Sequence, residues 1–240
     1  MRKKVLAIVV LTVTFFISLH VIPYYKPEQE LPGDHGVSTD PKEGINSGEG
    51  SEGGQAEADP IRFLLERMTL EQKVGQLVIA GLDGYEYNDN AQKLIENYHV
   101  GGFVLLKKNI RDINQTVALI NALKKANSSK EIPLFLAVDE EGGRITRMPP
   151  ELPALPASER VGKVNSSELS YEIGKIMGER LKALGLNMNF APVLDINNNP
   201  QNVVIGDRSY GSDPEIVSDL GVATMKGLQA QNTIPVVKHF

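Results

Sequence analysis

The hydrophobic pattern divides the chain into three unlike parts. Residues 5 to 22, VLAIVVLTVTFFISLHVI, are one apolar run behind Arg2, Lys3 and Lys4. The stretch that follows, to Asp59, is rich in Gly, Ser, Glu and Asp, with few apolar positions. From Pro60 onward, amphipathic segments alternate with short continuous apolar runs. Ile61, Leu64, Leu65 and Met68 fall at helical spacing, and Thr69 with Gln72 forms a capping-box signal for a second helix through Leu77. The run LVIAGLDG reads as a first strand. Ala91, Leu94, Ile95 and Tyr98 then mark a helix face, and VGGFVLL (100–106) is the next strand.

The alternation continues. Residues 114–126 are helical with Val117, Ile120 and Leu123 as the apolar face, and IPLFLAVD (132–139) is a strand. Leu169, Ile173, Ile176, Met177, Leu181 and Leu184 make a long helical stripe behind the cap-like NSSE. MNFAPVLD (188–195) is a strand, Pro214 begins a helix carrying Ile216, Leu220, Ala223 and Leu228, and IPVVKHF is the last strand. Strand and helix in alternation imply parallel βα units, and near-continuous apolar strands imply a sheet covered on both faces. No glycine-rich dinucleotide turn follows the first strand, which weakens a Rossmann reading. The expected fold is therefore α/β, a (β/α)8 TIM-type barrel. About five units are legible within about 180 residues where eight strands and about 250 residues are usual, so the barrel is expected to be truncated.

The first part changes the picture of location. A basic start before an apolar run about long enough to span a bilayer reads as a signal anchor or signal peptide over residues 1–25. No small-x-small cleavage site follows, which favours the anchor, and positive charge stays inside, which places the rest outside the cytoplasm. Residues 26–59 cannot bury enough apolar surface to offset ordering and read as a flexible, disordered linker, with His35 solvated in it. Residues 60–240 form the domain. The formal net charge of −5 and the lack of a dense basic run exclude an electrostatic case for nucleic acid. With no cysteine, disulfides, thiolate metal sites, a cysteine nucleophile and a lipoprotein anchor are excluded.

In a parallel barrel, chemistry gathers at the carboxyl ends of the strands. Three successive apolar runs deliver Asp139, Asp195 and the pair Lys238–His239 to that rim. After Asp139 come Glu140 and Glu141; alternation puts Asp139 and Glu141 on one side. Gly142 and Gly143 permit close approach to a ligand, and Arg144 and Arg147 would both face the acids if the segment turns helically. A solvated acid cluster paired with arginines is the bland alternative. A divalent metal is disfavoured because no acidic or His set has ligand spacing, and no cofactor is expected. Residues 197–212 form a long loop in which Asp207 and Arg208 could pair locally, or Arg208 could serve as a fixed donor fork. His99, before a strand start, reads as structural. A rim of carboxylates, arginines, a lysine and a histidine suits a polyhydroxylated ligand, a sugar.

The segments MTLEQKVGQL, GGFVLL, VDEEGGRITRM, FAPVLDINNNP, VIGDRSYGSD and VKHF resemble, in order and spacing, the N-terminal barrel of glycoside hydrolase family 3, and most of all its bacterial β-N-acetylhexosaminidase (β-N-acetylglucosaminidase) branch. Glu140 stands where Gln is common. The resemblance implies that Asp139, Arg147, Arg208, Lys238 and His239 hold an N-acetylglucosamine unit. It implies a retaining hydrolase of terminal β-linked N-acetylglucosamine in peptidoglycan fragments or related glycans. The aspartate nucleophile and a histidine–aspartate acid/base are expected beyond Phe240, so no catalytic residue is assigned and residues 1–240 alone are expected to be inactive. The alternatives are another family exo-glycosidase such as a β-glucosidase, or a membrane-tethered, non-catalytic sugar-binding protein. The oligomeric state and natural aglycone are left open.

Overall fold

The computed structural model describes residues 59–239. The apolar segment of residues 1–25 and all but the last residue of the 26–59 linker lie outside the described residues. Helix α1 (Pro60–Arg67) starts where a proline at its first position and the Asp59 side chain, accepting from the Ile61 amide at 2.9 Å, satisfy its amino end. Helix α2 (Leu70–Gln76) opens with the reciprocal box that the Thr69 and Gln72 spacing predicts. The Thr69 amide donates to Gln72 Oε1 at 2.9 Å, and the Gln72 amide to Thr69 Oγ1 at 3.3 Å.

Five parallel strands follow: β1 (Ile79–Gly81), β2 (Gly102–Leu105), β3 (Phe135–Val138), β4 (Met188–Asn189) and β5 (Ile234–Pro235), hydrogen-bonded in chain order. A doubly wound sheet would reverse its strand order at a switch point; this one does not. The connections carry α3 (Asp89–Glu96), α4 (Ile113–Ala126), α5 (Ser158–Val164), α6 (Ser167–Leu184) and α7 (Pro214–Gln229). Phe103, Leu105, Leu136 and Val138 on β2 and β3 are buried with Ile120 and Leu123 of α4 and Leu181 of α6. Each such side chain contributes about 1.5–3 kcal/mol through removal from water. A second apolar cluster, with Val161, Ile173, Met177, Leu220 and Leu228, joins α5, α6 and α7.

Several boundaries differ from the pattern. Helix α3 stops at Glu96, so Tyr98 lies past its end and is exposed, because the chain turns through a left-handed His99 (φ 52°) into β2. The α4 face is rotated toward Leu119, which is buried, while Val117 is only half-buried. Helix α5 carries too few apolar positions for its periodicity to be read. The run MNFAPVLD is regular strand for only two residues; Pro192 has no N–H for the ladder, and pairing resumes at the parallel bridge between Val193 and Lys238. Two asparagines two residues apart, Asn187 just before β4 and Asn189 within it, stitch it to β3. Asn187 accepts from the Leu136 amide at 2.7 Å and donates to the Leu134 carbonyl at 2.9 Å. Asn189 accepts from the Glu140 amide at 3.0 Å and donates to the Glu140 carbonyl at 2.9 Å.

Candidate functional site

The site is built where β3, β4 and β5 end. Asn189, 0 % exposed, holds both backbone groups of Glu140 and so fixes the residues on either side of it. Alternation then sends Asp139 and Glu141 one way, and Glu140 the other. The Lys238 ammonium from the end of β5 bridges the first two, lying 2.6 Å from Asp139 Oδ1 and 2.6 Å from Glu141 Oε1. Lys238 is itself fixed through its backbone: its carbonyl accepts from the Leu194 amide at 2.6 Å, and its amide donates to the Pro192 carbonyl at 3.3 Å.

Arg208 arrives from the long loop between β4 and α7. Its Nε and Nη2 donate to the two oxygens of Glu141, each at 2.8 Å, a bidentate fork. Burial works to raise the Glu141 carboxyl, but the Arg208 and Lys238 hydrogen bonds and charges outweigh it and hold it below the usual range. Arg208 Nη2 also lies 3.2 Å from His239 Nε2. A guanidinium only donates, so Nε2 accepts, and His239 Nδ1–H donates to Asp195 Oδ2 at 2.7 Å. Asp195 also accepts from the His239 amide at 3.0 Å. The tautomer assigned in this way is neutral, and the cluster is a chain of alternating sign: Asp139, Lys238, Glu141, Arg208, then His239 on Asp195.

Glu140, 1 % exposed, faces away from this cluster. Its Oε2 accepts from Thr146 Oγ1 at 2.7 Å and from the Arg147 amide at 3.0 Å. Burial pushes its carboxyl above the usual range against those two bonds. Asp139, Arg208, Lys238 and His239 are thus brought together. Arg147 has no hydrogen bond to them: its amide is on Glu140, its Nη1 donates to the Thr146 carbonyl at 3.4 Å, and its buried Nε has no partner among the described residues.

Two expectations are corrected. The segment after Glu141 is not helical. It is a tight turn with Gly142 and Gly143 left-handed (φ 83° and 56°), in which the Glu141 amide donates to the Ile145 carbonyl at 3.0 Å. Arg144 therefore points away from the acids, and its Nε pairs with Asp207 Oδ1 at 2.7 Å. For the same reason Asp207 and Arg208 are not a local pair: each is taken by a different residue of the 139–147 segment. His99 sits at the amino end of β2, its carbonyl held by Gln76 Nε2 at 2.8 Å, consistent with a structural role. Asn189 lies in no recognisable motif. Its signal was a carboxamide inside an otherwise apolar run, a residue type seldom buried without partners.

The family model described as "Glycosyl hydrolase family 3 N terminal domain" matches residues 69–240. The chain belongs to that family. Among its curated relatives, the beta-hexosaminidase A of Pseudoalteromonas piscicida is 35 % identical over 62 % of this chain and 26 % of its own length. The beta-hexosaminidase LpqI of Mycobacterium tuberculosis is 29 % identical over 82 % of this chain and 52 % of its own. The chain thus spans between a quarter and about half of these family 3 relatives. Among solved structures, a family 3 β-N-acetylglucosaminidase from Paenibacillus sp. str. FPU-7 superposes with a TM-score of 0.70 at 45 % identity, covering 72 % of this chain and 33 % of that one. NagZ from Neisseria gonorrhoeae, solved in complex with N-trifluoroacetyl-D-glucosamine, superposes with a TM-score of 0.62 at 29 % identity over 68 % of this chain and 49 % of its own.

Proposed function

We propose that residues 60–240 are part of a (β/α)8 barrel whose carboxyl-end rim holds a terminal β-linked N-acetylglucosamine of peptidoglycan fragments or related glycans for retaining hydrolysis. Asp139, Arg147, Arg208, Lys238 and His239 are its sugar contacts. The observation that carries this reading is the convergence of Asp139, Arg208, Lys238 and His239 in one hydrogen-bonded network. A sugar ring presents adjacent hydroxyls that both donate and accept. Asp139 Oδ2 accepts nothing from the described residues and is suited to a hydroxyl, while Lys238 and Arg208 are donor-only groups for hydroxyl oxygens. The unbroken strand order supports the barrel, since a barrel winds one way only.

The nucleophile and the histidine–aspartate acid/base belong, on the family resemblance, to segments that follow the Lys238–His239 strand. Residues 1–25 serve as a signal anchor or signal peptide and residues 26–59 as a linker, which puts the domain outside the cytoplasm. The test is chromophore release by the native gene product from an aryl β-N-acetylglucosaminide, with the aryl β-glucoside as competitor. Turnover of the first at least tenfold above the second is expected. The reverse preference would make the protein a β-glucosidase, and binding of N-acetylglucosamine without turnover would make it a sugar-binding protein.

A further inference from the structure

The turn after β3 grips the long 197–212 loop at two points, and only one of them belongs to the sugar contacts. Glu141 holds Arg208. Three residues on, Arg144 reaches the same loop with four hydrogen bonds: Nε to Asp207 Oδ1 at 2.7 Å, and Nη2 to the carbonyls of Val203, Val204 and Ile205 at 3.2, 2.7 and 3.2 Å. The Val204 carbonyl also accepts from Arg208 Nη1 at 3.3 Å, so the two arginines share one acceptor. The loop has no strand or long helix of its own here; Gly206–Arg208 is a single 3-10 turn. After Arg208 the loop is anchored by Tyr210, which is buried with Val161 and Ile173 and has its hydroxyl 2.8 Å from Thr224 Oγ1, and by Ser209 Oγ on the Asp195 carbonyl at 2.6 Å. Before Arg208, among the described residues, the hydrogen bonds that tie residues 203–207 to a segment outside the loop all come from Arg144.

We propose that Arg144 is a positioning residue for Arg208: by gathering the 203–205 carbonyls and Asp207 onto the β3 turn, it sets where the Arg208 guanidinium meets Glu141, His239 and the sugar. The mechanism is geometric. A guanidinium offers donors in a rigid plane, so one residue orders three consecutive carbonyls and one carboxylate together; a lysine ammonium would keep the charge beside Asp207 without that shape. The left-handed glycine pair forms the tight turn that carries Glu141 and Arg144 to the two contacts.

The inference rests on the sugar-site reading above, and the experiment separates the two. Arg144→Ala and Asp207→Asn are compared with the unaltered protein by two readouts: the NMR signal of Arg208 Nε–H, and the Kd for N-acetylglucosamine. For Arg144→Ala the expected result is a shifted, faster-exchanging Arg208 signal together with about tenfold weaker sugar binding, the scale of losing hydrogen bonds to a charged group. Asp207→Asn, which leaves the three carbonyl bonds, gives a smaller change in the same direction and serves alone if Arg144→Ala does not fold. An unmoved Arg208 signal in the folded variants overturns the positioning role, whatever the affinity. If the unaltered protein does not bind N-acetylglucosamine, the sugar-site reading falls, and the Arg208 signal still decides the role of Arg144.

Discussion

Glu140 and Glu141 are neighbours in sequence with opposite electrostatic environments. Burial raises the Glu140 carboxyl; for Glu141, burial is outweighed by Arg208 and Lys238, and the carboxyl is lowered. The consequences for stability have opposite signs. Below the ordinary value of 4.5, Glu140 is protonated in both folded and unfolded chains and costs nothing. As pH rises through that value the unfolded chain ionises first, so stability falls, and the penalty is complete above the raised folded value. Glu141 stabilises above the unfolded value, and that contribution is lost as pH falls through its lowered folded value. Glu140→Gln keeps an acceptor for Thr146 and Arg147 but cannot ionise. In urea unfolding it should be more stable than the native protein at neutral pH, with the difference vanishing below pH 4.5. An equal difference at both pH values would mean that packing, not charge, sets the effect. The sharing of one side by Asp139 and Glu141 was legible from strand alternation. The partners of Arg144 were not: they lie about 60 residues away in an irregular loop, and no local pattern encodes such a meeting.

At the scale of elements, local chemistry placed the starts of helices well and the lengths of strands poorly. Thr69 with Gln72, and Pro214 after Asp213, mark ends because the groups that satisfy the first-turn amides are adjacent in sequence. Replacing Thr69 by alanine should cost about 1 kcal/mol, read as a lower midpoint in denaturant unfolding. Wild-type stability in that variant would show that α2 is held by packing alone. Strand lengths depend instead on neighbours. The run MNFAPVLD looks continuous, yet Pro192 interrupts its ladder and the pairing resumes only at Val193. Asn187 and Asn189 supply side-chain bonds to β3 around this short strand, a compensation visible only once β3 lies beside β4.

For the whole molecule, the sheet order β1 to β5 puts the carboxyl ends of β3, β4 and β5 next to one another, so the contacts separated by a hundred residues become one surface. Ligand and fold are then linked by mass action. N-acetylglucosamine at about a hundred times its Kd should stabilise the folded protein by about 2.7 kcal/mol, seen as a raised Tm. Lys238→Ala should abolish that rise, and a rise surviving in the variant would place the sugar elsewhere. Lys238 shows what such a surface confers. Its backbone is tied at both polar groups to residues 192–194, and its ammonium to Asp139 and Glu141, just past the end of β3. A lysine side chain in solution samples many rotamers, and stilling them costs up to about 2 kcal/mol. Here that freedom is surrendered as the chain folds, so an arriving ligand meets a preorganised cation and is spared the entropy of arresting it.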